Sequence, residues 1–318
     1  LTASVALCAG LAIAALAVYA QEQSALYVFA TDAEGIPILD LTAKDLSIRE
    51  DKGESTIVSV QRYGWPLKVT VLLDNGPGTA EMLVHYRTGL QKFFKGLPPE
   101  VPVSLIATAP NPRWLVRETR DRVQIEKGVG LITPESADGG LARFSDALIE
   151  YSRRLDEEFR NVSSEQLPPY LPVLVSISTT NQDGSHVQRE TNLKMITSLR
   201  KHRVWTNFIV INPSRAPSFG DPLTVTYDDG QVAEIAKVTQ DATGGRYVPI
   251  GGSATSSLST TLLPQLAADI TLRYIKQMTQ HRVVLARPEG ASGPMKNFKL
   301  ELKRPKAQLV VTTDGIIP

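Results

Sequence analysis

Apolar residues fill Leu67-Lys68-Val69-Thr70-Val71-Leu72-Leu73 without clean alternation, and the run ends on Asp74. A Val- and Leu-rich stretch of this kind reads as a strand buried on both faces, the habit of parallel strands in α/β domains. A Gly/Pro turn, Asn75-Gly76-Pro77-Gly78, follows, and then an amphipathic run over 79–94 predicts a helix. The same alternation continues downstream. It predicts strands over 103–107, 114–116, 171–178, 204–211 and 246–249, the last at a sheet edge. Helices are predicted over 144–160, 190–201, 232–239 and 262–278, the last after a Gly/Ser/Thr-rich linker at 251–261. Strand and helix in alternation define a doubly wound, mostly parallel sheet with flanking helices. Ligands meet such sheets beyond the carboxyl ends of the strands, which places a candidate site at the loop after Asp74.

The two ends of the chain have a different pattern. Short apolar runs at 26–30, 46–50 and 57–60 are separated by turn residues, and similar runs recur at 282–286, 298–303 and 308–312. Neither set has enough strands to bury a core alone. The two ends are therefore expected to pair into one β-sandwich, with segments 24–64 and 280–318 flanking an inserted α/β domain at 66–279.

Composition adds little to this picture except at the N-terminus. In 318 residues, 34 basic side chains balance 33 acidic ones, so the net charge is +1 and no basic block points to nucleic acid. Residues 1–20 carry no charge, are rich in Ala, Leu and Val, and end in Val18-Tyr19-Ala20 before Gln21-Glu22-Gln23. This is the pattern of a secretory signal peptide, which implies a secreted or periplasmic protein; left uncleaved, it would be the one membrane-contacting segment. Cys8, the single cysteine, lies inside it. Cleavage after Ala20 leaves no thiol for a disulfide or a thiolate metal site.

The order of these motifs resembles the von Willebrand factor type A domain: a strand ending in Asp74, Gly139-Gly140 before a helix, a strand followed by Thr179-Thr180-Asn181-Gln182-Asp183-Gly184, and Ala242-Thr243-Gly244-Gly245-Arg246-Tyr247. The flanks, Thr31-Asp32-Ala33-Glu34-Gly35, Leu41-Thr42-Ala43-Lys44-Asp45-Leu46 and Lys299-Leu300-Glu301-Leu302-Lys303-Arg304-Pro305, are similar to those of secreted bacterial VWFA-related proteins. The resemblance implies a protein-binding or adhesion module. In members with a working site it also implies a divalent cation held by Asp-x-Ser-x-Ser, a later Thr, and an Asp after the fourth strand. Here glycines Gly76 and Gly78 replace both serines, Leu141 stands for the Thr, and Ser178-Thr179 for the Asp-Gly. Mg²⁺ needs hard oxygen ligands in near-octahedral array. With Asp74 the one clear surviving ligand position, no metal and no cofactor is expected; a reorganised Mg²⁺ site would have to recruit Asp183 or Asp138. Without an ion, Asp74 is expected to accept from backbone N–H groups of its Gly-rich turn and of the following helix N-terminus.

No nucleophile elbow, phosphate loop or HExxH spacing is present, and His85, His186, His202 and His281 are far apart in sequence. Trp65, Trp114 and Trp205 read as core, and Glu157-Glu158 and Asp228-Asp229 as solvated charges. The expected function is a non-enzymatic module that binds a protein or cell-envelope component through Asp74, Asn75, Gly76, Gly78, Leu141, Ser178, Thr179, Thr180, Asn181, Gln182 and Asp183. The alternatives are a hydrolase-like site using Asp74, Asp183 and His186, and a purely structural envelope protein.

Overall fold

The computed structural model describes residues 23–50, 53–136, 138–163, 166–180, 183–212, 231–251, 254–288, 295 and 297–318. They divide into two compact units, one made of 23–65 with Ile275–Pro318 and the other of Pro66–Tyr274. In chain order the first unit opens with β1 (Gln23–Thr31), β2 (Leu46–Glu50), β3 (Gly53–Glu54) and β4 (Thr56–Arg62). The second runs β5 (Leu67–Leu73), α1 (Leu83–Gly96), β6 (Val103–Ala107), β7 (Arg113–Thr119), α2 (Arg122–Gly130) and α3 (Phe144–Glu158). It continues with β8 (Leu171–Thr179), α4 (Arg189–Lys201), β9 (Trp205–Asn212), α5 (Gln231–Thr243), β10 (Arg246–Gly251) and α6 (Leu263–Thr279). The chain then returns to the first unit with β11 (His281–Ala286), β12 (Phe298–Leu302) and β13 (Gln308–Thr312).

The two ends of the chain do form a sandwich. One sheet has the order β13-β1-β11-β4 and the other β12-β2-β3. Strand β1 is antiparallel to both β11 and β13, so an N-terminal strand lies between two C-terminal ones. Leu26 and Val28 of β1, Leu46 and Ile48 of β2, and Val283 and Leu285 of β11 form one buried core. Each such side chain contributes about 1.5–3 kcal/mol relative to exposure. In the turn between β12 and β13, Arg304 donates to Asp40 Oδ1 at 2.8 Å and to Asp45 Oδ1 at 2.9 Å, tying that turn to the segment before β2. The Arg304 guanidinium and the Thr42 hydroxyl hold the Asp45 carboxyl well below the usual carboxylate range.

The α/β unit has one six-stranded sheet in the order β10-β9-β8-β5-β6-β7. All neighbours are parallel except β6 and β7, so β7 is an antiparallel edge. From β5 the chain winds outward through β6 and β7; it then returns to β8 on the other side and winds outward through β9 and β10. The reversal lies between β5 and β8. Leu72, Leu174 and Phe208 pack with Leu148 and Leu155 of α3, Met195 and Leu199 of α4, and Ile235 and Ala236 of α5 in one core. The alternating residues Val71, Leu73, Leu105 and Val175 are fully buried as well, as expected for a sheet covered on both faces.

Two local features differ from the periodicity. Helix α2 interrupts a stretch with no helical signal: Asp121 caps it, accepting from Val123 N at 2.9 Å and Gln124 N at 3.2 Å, but Gly128 and Gly130 weaken its pattern. A Cβ at Gly128 would overlap Val116 Cγ2, so the close packing of α2 on β7 requires the glycine. The linker at 251–261 is partly a π-helical turn, Leu258–Leu262, with Leu258 buried. At Gly244-Gly245 both glycines are needed. Gly244 ends α5 with φ 69° and donates to Gln240 O at 2.8 Å, while a Cβ on Gly245 would overlap the Thr206 carbonyl of β9.

Candidate functional site

The reversal of strand order puts the carboxyl ends of β5 and β8 side by side, the place where an open α/β sheet leaves a crevice. Asp74 follows β5 and Thr179 ends β8. Asp74 Oδ2 accepts from Thr179 N at 3.0 Å and from Thr179 Oγ1 at 2.5 Å, and its Oδ1 accepts from Gly76 N at 2.8 Å. Its own N–H donates to Ile177 O at 2.8 Å. The crevice is bridged by these bonds. Gly76 lets the turn close: a Cβ there would sit 3.1 Å from Asp74 Oδ1 and 3.2 Å from Ala142 N. Tyr86 of α1 is buried near this carboxylate and donates to Met82 Sδ at 3.4 Å; burial first, then the Asp74 charge, pushes its phenol well above the usual range.

Asn75 ties the same turn to the other side. Its Oδ1 accepts from Ala109 N at 3.0 Å, just after β6, and its Nδ2 donates to Thr133 O at 3.0 Å. Its carbonyl accepts from Glu135 N at 2.7 Å. The loops after β5, β6 and α2 are thus joined at one buried side chain.

Asp183 acts as a helix cap supplied from another loop. Its Oδ1 accepts from Phe144 N and Ser145 N bonds its Oδ2, at 3.0 and 3.2 Å, while Ser145 Oγ donates to Oδ2 at 2.7 Å. Ser185 N donates back to Asp183 Oδ1 at 3.0 Å, and Ser185 Oγ accepts from Asp146 N at 3.0 Å. No side chain at position 143 caps α3, so Asp183 and Ser185 satisfy its first N–H groups and place negative charge at the positive end of the helix dipole.

The expected partner-contacting residues therefore separate into two sets. Asp74, Asn75, Ser178, Thr179 and Asp183 are 1–8% exposed, and their side chains are bonded within the unit. Ser178 turns away from Asp74, as strand alternation requires, and shares a 2.8 Å hydrogen bond with Ser176. Gly76 is buried, Gly78 and Leu141 are exposed, and Thr180 is half-buried. Asn181 and Gln182 lie outside the described residues, as do Asp228 and Asp229. Asp138 and His186 are exposed. The expectation that Asp74 accepts from its Gly-rich turn holds at Gly76. Its remaining donor is Thr179, across the sheet, rather than the helix N-terminus.

Other readings shift too. Glu158 is not simply solvated: Lys68 Nζ donates to it at 2.9 Å and Tyr170 Oη at 2.6 Å. Trp65 and Trp205 are buried as expected, but Trp114 is half-buried, with the Arg154 guanidinium 4.4 Å from its ring centroid. Among the described residues, no group of three or more His, Cys, Asp or Glu could hold a metal ion, and no helix is long and apolar enough to cross a membrane.

A doubly wound, mostly parallel sheet with flanking helices is the architecture that the von Willebrand type A resemblance implies, and the second unit has it. Among solved structures, the chain is similar to a von Willebrand factor type A protein from Catenulispora acidiphila, with a TM-score of 0.46 and 9% identity over 91% of this chain and 72% of that one. It is also similar to the conserved hypothetical protein BatB from Bacteroides thetaiotaomicron (TM-score 0.42, 15% identity, 64% of this chain and 99% of that one). An aerotolerance-related membrane protein from Bacteroides fragilis is similar at a TM-score of 0.37 and 16% identity, over 61% of this chain and 97% of that one. No family model and no curated protein matches the sequence.

Proposed function

We propose that this chain is an exported, non-enzymatic protein-binding module whose α/β unit carries a closed hydrogen-bond brace at the place where its resemblance group holds a cation. The single observation behind this reading is that both oxygens of Asp74 are taken, by Gly76 and by the backbone and hydroxyl of Thr179. These donors leave the carboxylate one open lone pair, on Oδ1, so a divalent ion that keeps them would find a single contact there. Of the positions that should supply its remaining ligands, Gly76, Gly78 and Leu141 have no side-chain oxygen, and Ser178, in place of the Asp, shares its hydroxyl with Ser176. The residues present do not fit a metal of the family type.

The same bonds weigh against hydrolysis. A general base needs a lone pair within reach of substrate; Asp74 and Asp183 accept from seven N–H and O–H donors in the fold, which fills Asp183 and leaves Asp74 a lone pair only on Oδ1 of a buried side chain. His186 alone is no catalytic constellation. Export rests on the uncharged, Ala/Leu-rich residues 1–20. Partner contact is assigned to the accessible parts of the braced edge, exposed Gly78 and Leu141 and half-buried Thr180, held in fixed relation by the buried bonds beneath them.

The test is capture of a single envelope component by tagged protein starting at Gln21, in wild-type and Leu141→Asp forms. Capture lost in Leu141→Asp, unaffected by a chelator, supports the proposal. Chelator-sensitive capture, or capture that ignores Leu141, sinks it.

A further inference from the structure

We infer that β13 pairs antiparallel with β13 of a second copy of this chain, joining two sandwich units edge to edge about a twofold axis at Val310. Edge strands are open templates for pairing, and folded proteins blunt them with brevity, bulges, proline or charge. Among the described residues the sheets end on β3, β4, β7, β10, β12 and β13. Strand β3 has two residues. A register shift interrupts the ladder of β4 and skips Val58, and two shifts interrupt that of β7. Strand β10 contains Pro249, and β12 exposes Lys299 and Glu301. Strand β13, Gln308-Leu309-Val310-Val311-Thr312, has none of these: its pairing with β1 is unbroken and it carries no charge.

The backbone shows which groups this edge offers. Thr31 of β1 lies between Gln308 of β13 on one side and Pro37 on the other. On the Pro37 side Ile38 N donates to Ala30 O at 2.8 Å, so Ala30 turns its main-chain groups away from β13 while Phe29 and Thr31 turn theirs toward it. The β1 ladder therefore uses Gln308, Val310 and Thr312. Leu309 and Val311 aim N–H and C=O off the sheet, with no partner for them among the described residues. Twofold pairing with Val310 on the axis sets each Leu309 opposite Val311 of the other copy and satisfies these groups on both strands. The sequence suits that register. Leu309 and Val311 pack partly buried against the sandwich core, so apolar residues meet on one face. Counting outward from Val310, Gln308 faces Thr312, and exposed Lys306 faces exposed Asp314. Opposite charges thus meet at both ends of the pair. One short strand pair falls at the small end of interface size, so the dimer forms with rising concentration rather than permanently.

This edge shares no residue with the brace between β5 and β8, so it stands or falls separately from the proposed partner binding. The experiment is sedimentation velocity on protein starting at Gln21, over about two decades of concentration around the micromolar range. Wild type should shift reversibly from monomer toward dimer as concentration rises. Lys306→Glu and Asp314→Lys each place like charges at both ends of the strand pair, and each should weaken dimerisation by about tenfold or more. Asp314 also accepts from Ile316 N at 3.0 Å, so its variant alone could act through the turn. Mixing resolves this. One copy of each variant restores opposite charges at both ends, and the equimolar mixture should dimerise at least tenfold more tightly than either component, about as wild type does. Such rescue depends on the antiparallel register and would not follow from a disturbed turn. Wild type that stays monomeric at every concentration, dimerisation indifferent to both variants, or a mixture no more associated than its components would overturn the inference.

Discussion

Thr179 donates its hydroxyl and its backbone N–H to one carboxylate oxygen of Asp74, residues 105 positions apart in sequence and adjacent at the reversal of strand order. The pair replaces an open crevice with a bridge between β5 and β8. Its energetic role follows from burial: both residues are nearly inaccessible to water, so donors that lose Asp74 gain no solvent in exchange. Asp74→Ala is expected to lower unfolding free energy by about 3 kcal/mol, and Thr179→Val, which keeps the shape and one bond, by about 1–2 kcal/mol. Urea denaturation of the two variants and their double mutant checks this, since residues in contact should give a sum of single effects larger than the double.

Asp183 and the start of α3 give a second prediction. Asp183→Ala removes a cap and should cost about 1–2 kcal/mol. The loss should be local as well as global. Hydrogen exchange at the Phe144 and Ser145 amides should speed up well beyond exchange in the middle of α3, whose bonds are internal. Uniform acceleration along the helix would mean that Asp183 is not the cap.

The sandwich should be acid-sensitive through His281. This side chain is 1% exposed, its Nε2 faces Leu39 O at 3.2 Å, and its Nδ1 has no partner. Burial holds its pKa below 6.5; Leu39 O and Asp40 oppose that shift, and Arg62 and Arg304 reinforce it. Above about pH 6.5 the ring is neutral whether folded or not and carries no penalty; below it the unfolded chain takes up the proton first, so stability falls as pH drops toward the folded value. His281→Gln keeps a donor for Leu39 O and cannot titrate. Its melting temperature should change less than the wild type's between about pH 7 and pH 5. Parallel curves would exclude His281 as the source.

Gly245→Ala should be among the most damaging single substitutions in the α/β unit, because the added Cβ meets backbone rather than a side chain that can move. Its expected signature is loss of β10 pairing with β9, read as amide exchange at Tyr247 and Val248, two residues in that ladder. Gly35→Ala, with open space around a Cβ and only its φ of 83° to resist, should be much milder.

Much of this architecture was legible because it depends on periodicity. The two-face-buried runs of β5 and β8, and the alternating strands at both ends, announce a parallel sheet and a sandwich without reference to distant residues. Helix α2 was not legible, since the glycine that lets it pack on Val116 is also the residue that erases its helical pattern. The site was half legible. Asp74, Asn75 and Asp183 stand out as polar residues on the right loops, but their partners Thr179, Ala109 and Phe144 are far along the chain. Whether a loop carboxylate faces solvent, an ion or a helix N-terminus is decided by tertiary packing, which the spacing of residues along the chain does not encode. The nearest sequence signal was the absence of hydroxyls at positions 76 and 78.

The central claim, that internal donors have taken the place of a cation at the β5–β8 reversal, is tested most directly by titrating Mg²⁺ and Mn²⁺ into protein starting at Gln21 while following heat and thermal melting. The account predicts no binding heat and no shift in melting temperature for either ion. Saturable binding that raises the melting temperature and disappears in Asp74→Ala would contradict it, because Asp74 would then hold a metal at the place the account assigns to internal donors.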